Sequence, residues 1–232
     1  TYRQCDEESD RLAAGLHAQG VRAGDRVTLM LPNCIELALL WFALAKLGAV
    51  AAPVNTAFRG AALAGAVNLV QSSLAIVHAT LHEPWAQVHA ELETARSVFV
   101  LGDDGPPPEG CAPYALLRAV QPTAASLPRP DVPFDALCLL LYTSGTTGRS
   151  KAAMIPHRFV LAQARIFIEG LELRGDDVLY CPYPMFHLDA TVMTIAPALL
   201  LRGVAALGER FSVSRYWDEM RALQGTVFDF MG

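Results

Sequence analysis

Apolar and polar positions alternate along this chain in two rhythms. Leucines and alanines recur at helical spacing from Asp6 to Gly20, where the glycine is a natural stop. Short, mainly apolar segments at 26–31, 49–54, 74–78 and 97–101 read as strands. Between them, helical patterns cover 33–46, 60–71 and 83–94, the first opened by Asn33 as expected N-cap with Glu36 as its capping-box partner. The rhythm breaks over 102–134, where prolines crowd and periodicity fades, which predicts a linker with at most one short helical turn. It then resumes with strands at 137–142, 152–155, 178–181, 204–207 and 227–230. Helices are expected at 157–169, 190–201 and 214–223. Repeated β-α units of this length predict an α/β fold with mainly parallel, helix-covered sheets. The expected organisation is an α/β subdomain at 1–101, a Pro/Gly-rich linker at 102–134 and a second α/β subdomain at 135–232.

Composition narrows the class. At 232 residues, 53% of them hydrophobic and with a mean hydropathy of +0.30, the chain is apolar for a water-exposed protein but ordinary for one whose parallel strands are buried on both faces. The two longest apolar stretches carry Glu36 and Lys46, or Pro197 and Arg202, so no membrane span is expected. No apolar leader opens the sequence, and secretion is not expected. A net charge of -5 leaves no basic face to displace counterions, which argues against nucleic acid as a partner. Five widely spaced cysteines fit reduced, buried thiols in the cytoplasm, and none stands at metal-ligand spacing.

The candidate chemistry sits in Tyr142-Thr143-Ser144-Gly145-Thr146-Thr147-Gly148-Arg149-Ser150-Lys151, behind a buried strand. Gly145 and Gly148 let backbone approach an anion, hydroxyls and successive N–H groups donate to phosphate oxygens, and Lys151 adds a mobile positive charge. A flexible Ser/Thr/Gly connector has the same composition. The strand in front and the apolar run 152–155 behind favour the phosphate cradle. The order of glycines and lysine does not satisfy a Walker A loop.

The segment closely resembles the Tyr-Thr-Ser-Gly-Thr-Thr-Gly-x-Pro-Lys-Gly signature of the adenylate-forming superfamily: acyl-CoA synthetases, luciferases and peptide-synthetase adenylation domains. Ser150 stands where that signature has proline and Ala152 where it has glycine, implying a less rigid loop with a more crowded exit. The resemblance implies that Thr143, Ser144, Gly145, Thr146, Thr147, Gly148 and Lys151 hold the β- and γ-phosphates of ATP. Losing one such donor typically costs on the order of 3 kcal/mol at the transition state.

A second segment, Tyr183-Pro184-Met185-Phe186-His187-Leu188-Asp189, is similar to the family's Pro-Leu-Phe-His motif. A lone histidine beside an aromatic is ordinarily a satisfied core residue. The resemblance instead places His187 by the substrate carboxylate and reacting phosphate, with Lys151 as the catalytic cation. Amino-acid-activating members carry aspartate at the His187 position, so a carboxylic acid without an α-amine is implied. Asp189 either lines the pocket or caps the next helix. The resemblance further implies Mg2+, coenzyme A as acceptor, and a role in fatty acid metabolism. Segments expected for adenine, ribose and magnesium, and a C-terminal lid domain, are not found, which reads as an N-terminal fragment, inactive alone, of an acyl-CoA ligase. Two alternatives stay open: an adenylation enzyme loading a carrier-protein thiol, and a non-catalytic nucleotide-binding remnant.

Overall fold

The computed structural model describes residues 1–102, 105–143 and 151–229. The chain divides into two compact units, Thr1–Ile155 and Pro156–Gly232.

The first unit is built on a seven-stranded sheet of order β5-β4-β3-β1-β2-β6-β7. Its strands are β1 (Arg26–Met30), β2 (Val50–Pro53), β3 (Leu74–His78), β4 (Ser97–Leu101), β5 (Ala112–Pro113), β6 (Leu137–Thr143) and β7 (Lys151–Pro156). Pairings from β5 through β6 are parallel. Helices α1 (Tyr2–Ala18), α2 (Ile35–Leu47), α3 (Gly60–Val70), α4 (His82–Val88) and α5 (Ala115–Arg118) connect and cover them. The chain goes from β1 to β2 in one direction and then back across β1 to β3. Right-handed crossovers therefore put α2 on one face and α3 with α4 on the other.

Each face is filled as that arrangement demands. On one, α1 packs on α2, whose buried residues run almost all the way round: Leu37, Ala38, Leu39, Leu40, Trp41, Ala43, Leu44 and Leu47. On the other, Leu63, Val67 and Val70 of α3 and Trp85 of α4 close over Val50, Ala75, Val77, Val98 and Leu140 of the strands. Gly48 ends α2 at φ 68, and a Cβ there would come within 3.2 Å of Val132 Cγ2 and 3.3 Å of Ala23 Cβ. The Pro-rich stretch lies against this unit, with Arg129 paired to Asp10 at 2.8 Å and Arg118 to Glu8 at 2.6 Å. Lys46 reaches both Asp6 and Asp10 at 2.6 Å.

The second unit has a three-stranded parallel sheet, β10-β8-β9, formed by β8 (Val178–Cys181), β9 (Val204–Leu207) and β10 (Val227–Phe228). Its helices are α6 (His157–Gly170), α7 (Leu188–Ala190), α8 (Ala196–Leu201) and α9 (Tyr216–Ala222). The core joins Tyr180, Ala206 and Tyr216, with Tyr180 and Tyr216 edge to face at 5.4 Å. Trp217, half exposed, stands edge-on to Tyr216 and Phe228.

The α/β class and the parallel sheets are as the sequence pattern predicts. The division differs from the expected 134/135 boundary: Ala51 pairs with Leu139, so β6 belongs to the first sheet. Within the linker, β5 pairs with β4 and α5 supplies the one helical turn. The N-cap of α2 is Cys34, extended at φ -151, one residue after the expected Asn33; Glu36 thus falls one position short of a capping box. The helix expected at 83–94 is instead α4 flanked by 3-10 turns at Ala79–Leu81 and His89–Glu91. α1 begins earlier than expected because Thr1 and Gln4 form a reciprocal capping box. Among the described residues no helix is long and apolar enough to cross a membrane.

Candidate active site

The stem of the Ser/Thr/Gly loop is held at both ends. Since β6 runs parallel to β2, the chain leaves β6 at the carboxyl edge of the sheet, where open parallel sheets bind ligands. Residues Cys138, Leu139, Leu140, Leu141 and Tyr142 of β6 are buried, and Thr143, the last of the strand, is exposed. Tyr142 anchors the exit: its hydroxyl donates to the Ala66 carbonyl of α3 at 2.9 Å, and its ring meets Phe58 edge-on at 6.4 Å. Burial raises its phenol well above the usual range. On the returning strand, Lys151 is exposed, Ala152 packs against the core, and Ile155 O accepts from Cys138 Sγ at 3.4 Å. Burial pushes the Cys138 thiol up to about 12, so it serves packing and not nucleophilic chemistry.

Thr143 and Lys151 therefore frame the loop on adjacent strands, both side chains open to a ligand. Ser144, Gly145, Thr146, Thr147 and Gly148 lie outside the described residues. The sequence pattern pointed to the loop and passed over its anchor. A tyrosine closing a buried apolar run, its hydroxyl needing an acceptor, was the available signal.

His187 belongs to the second unit and is the N-cap of α7, in extended conformation (φ -115, ψ 163). Its ring is exposed and lies 4.7 Å from that of Phe186, centroid to centroid. This is not a packed core histidine. Its backbone N–H donates to the Pro184 carbonyl at 3.0 Å, closing the Pro184–His187 turn that projects it. Asp189 lies in the first turn of α7, not at its cap. In the same unit, burial pushes the Cys181 thiol at the end of β8 up to about 12. Among the described residues no group of three or more His, Cys, Asp or Glu could hold a metal ion. A cavity of about 750 Å3 in the first unit is lined by Glu36, Leu101, Tyr114 and Arg118 among others, and by none of Thr143, Lys151 and His187.

Comparison with known proteins fixes the class. The family described as AMP-binding enzyme matches residues 1–231. The chain belongs to this family of adenylate-forming enzymes, and its relatives are acyl-CoA ligases. It is 31% identical over 228 residues to a crotonobetaine/carnitine–CoA ligase of Salmonella paratyphi C, covering 98% of this chain and 44% of that one. The chain thus spans less than half the length of the curated relatives it matches. A putative long-chain-fatty-acid CoA ligase from Rhodopseudomonas palustris superposes with a TM-score of 0.85 at 25% identity over 99% of this chain and 56% of that one. An anthranilate CoA ligase in complex with anthranoyl-AMP shares the fold with a TM-score of 0.90 at 22% identity, covering 98% and 44%.

Proposed function

We propose that this chain carries the phosphate-binding and acid-positioning parts of an ATP-dependent acid–thiol ligase that makes an acyl-AMP and passes the acyl group to coenzyme A. The observation that carries the reading is the exposed pair Thr143 and Lys151, framing a Ser/Thr/Gly loop at the carboxyl edge of a parallel sheet. A hydroxyl at one rim and an ammonium at the other suit the β- and γ-phosphates of ATP.

In the reaction, a carboxylate oxygen attacks the α-phosphorus and the bond to pyrophosphate breaks. A thiol sulfur then attacks the acyl carbon and AMP leaves. Such catalysis is mostly positioning and charge stabilisation. Thr143, Ser144, Thr146 and Thr147 donate to the departing pyrophosphate, Gly145 and Gly148 let backbone N–H groups approach it, and Lys151 offsets its charge. His187 orients the carboxylate toward phosphorus. Mg2+ would arrive with the nucleotide and screen its phosphates. The acid lacks an α-amine, because a histidine occupies the position where the amino-acid-activating members carry aspartate. Coenzyme A is favoured over a carrier-protein thiol because the similar proteins are named as CoA ligases. The five free thiols support a cytoplasmic location.

Acid-dependent exchange of pyrophosphate into ATP by the full-length protein containing this segment tests the reading. Exchange that requires a carboxylic acid and is lost in Lys151→Ala supports it. Exchange unaffected by that substitution would sink it.

A further inference from the structure

The helical segment after His187 is interrupted by an irregular turn. Residues Leu188–Ala190 are followed by one π-helical turn, Thr191–Ile195, before α8 resumes the regular geometry. The Ala196 N–H reaches back five residues to the Thr191 carbonyl. At the end of Leu188–Ala190 a backbone N–H bonds to Leu188 O. The carbonyl of His187, the N-cap, is the first acceptor of this helix.

The Thr191 side chain bonds to that carbonyl, its Oγ1 donating to His187 O at 3.1 Å. One step further, Thr194 Oγ1 donates to Asp189 O at 2.8 Å. Both threonines are buried, 2% and 3% exposed. The other buried polar residues among those described, Ser9, Thr28 and Ser72, belong to the first unit: Ser9 bonds to the Cys5 carbonyl within α1, and Thr28 and Ser72 bond to each other. Most buried hydroxyls are kept with their bonds made, as these are. π turns are rare and concentrate at functional sites.

We propose that Thr191, supported by Thr194, is a positioning residue that fixes the backbone of His187 and so aims its imidazole; this role rests on the reading of His187 given above. The hydroxyl grips the residue from inside while the ring stays exposed against Phe186. In a helix threonine's χ1 divides between two rotamers because Oγ1 can bond the i−3 or i−4 carbonyl, and the bond to His187 O is of the i−4 kind.

The test compares NMR spectra of the 232-residue chain carrying Thr191→Val or Thr191→Ser. Valine keeps the shape and removes the donor; serine keeps the donor. Phe186 and His187 resonances are expected to shift in Thr191→Val and return in Thr191→Ser, while those of β9 stay in place. Unshifted His187 resonances in a folded Thr191→Val protein overturn the proposal. Should the valine variant fail to fold, Thr191→Cys carries the test, since its weak donor should move the same resonances in part; no movement again overturns it. In the full-length protein, Thr191→Val should slow adenylate formation on the order of tenfold, about one hydrogen bond, with serine restoring it. Shifted resonances with unchanged adenylation would preserve the positioning role and remove the catalytic reading of His187. Unshifted resonances would remove the positioning role whatever the activity.

Discussion

The Tyr142 hydroxyl lies 2.9 Å from the Ala66 carbonyl, joining the last buried residue of β6 to the middle of α3. Tyr142→Phe keeps the ring against Phe58 and removes only this bond. It should cost about 1 kcal/mol, the net worth of an ordinary hydrogen bond. Urea unfolding would read the change, and an unaltered midpoint would show that Ala66 is satisfied without it.

Gly48 gives a second stability prediction. Its left-handed φ and the nearness of Val132 and Ala23 both oppose a side chain. Gly48→Ala should destabilise the chain by about 1–2 kcal/mol, more than loss of backbone freedom in the unfolded state could offset. Equal or higher stability in calorimetry would mean that the α2 terminus and residue 132 move apart at little cost.

Lys46 holds the Asp6 carboxyl below the usual carboxylate range, first by its hydrogen bond and then by its charge. Asp6 therefore releases its proton more readily folded than unfolded. The resulting stability is complete above the unfolded value, about pH 4, and is lost as pH falls through the lowered folded value. Asp6 is largely exposed, so the effect is small and weakened by salt. Lys46→Met should flatten the acid limb of a stability-versus-pH curve; superimposable limbs would contradict the assignment.

For the chemistry, Lys151→Ala and Thr146→Ala should slow adenylate formation by about a hundredfold or more in the full-length protein. Thioester formation from preformed acyl-adenylate should suffer much less, because pyrophosphate has already left. Single-turnover measurements separate the two steps. An equal fall in both would refute the leaving-group role.

In the 232-residue chain, His187→Ala should leave stability within about 0.5 kcal/mol of the parent, as expected for an exposed ring. A large loss would restore the view of His187 as a packed side chain. Its effect on adenylation, read across fatty and aromatic acids, is the separate functional test.

The parallel α/β class was legible because β1, β2, β3 and β4 are short, mainly apolar segments whose interiors suit burial on both faces, separated by helical patterns. Where β6 belongs was not legible, because pairing between Ala51 and Leu139 depends on contacts 88 residues apart in sequence. Local cap signals misplaced the start of α2 by one residue, since a cysteine in extended conformation carries no cap signature. The loop and His187 were readable as motifs. What supports them was not: the Tyr142 and Thr191 hydroxyls bond to carbonyls, and any residue offers a carbonyl, so no side-chain pattern marks the acceptor.

The tryptophans divide between the two units in a way that supplies optical reporters. Trp41 and Trp85, 6% and 1% exposed, are enclosed in the first unit, whereas Trp217, 52% exposed, is on the second. Excitation at the red edge would thus draw blue-shifted, acrylamide-resistant emission from the first unit and quenchable emission from the second. With Trp217→Phe as the reference, fluorescence would follow each unit's melting without an added label.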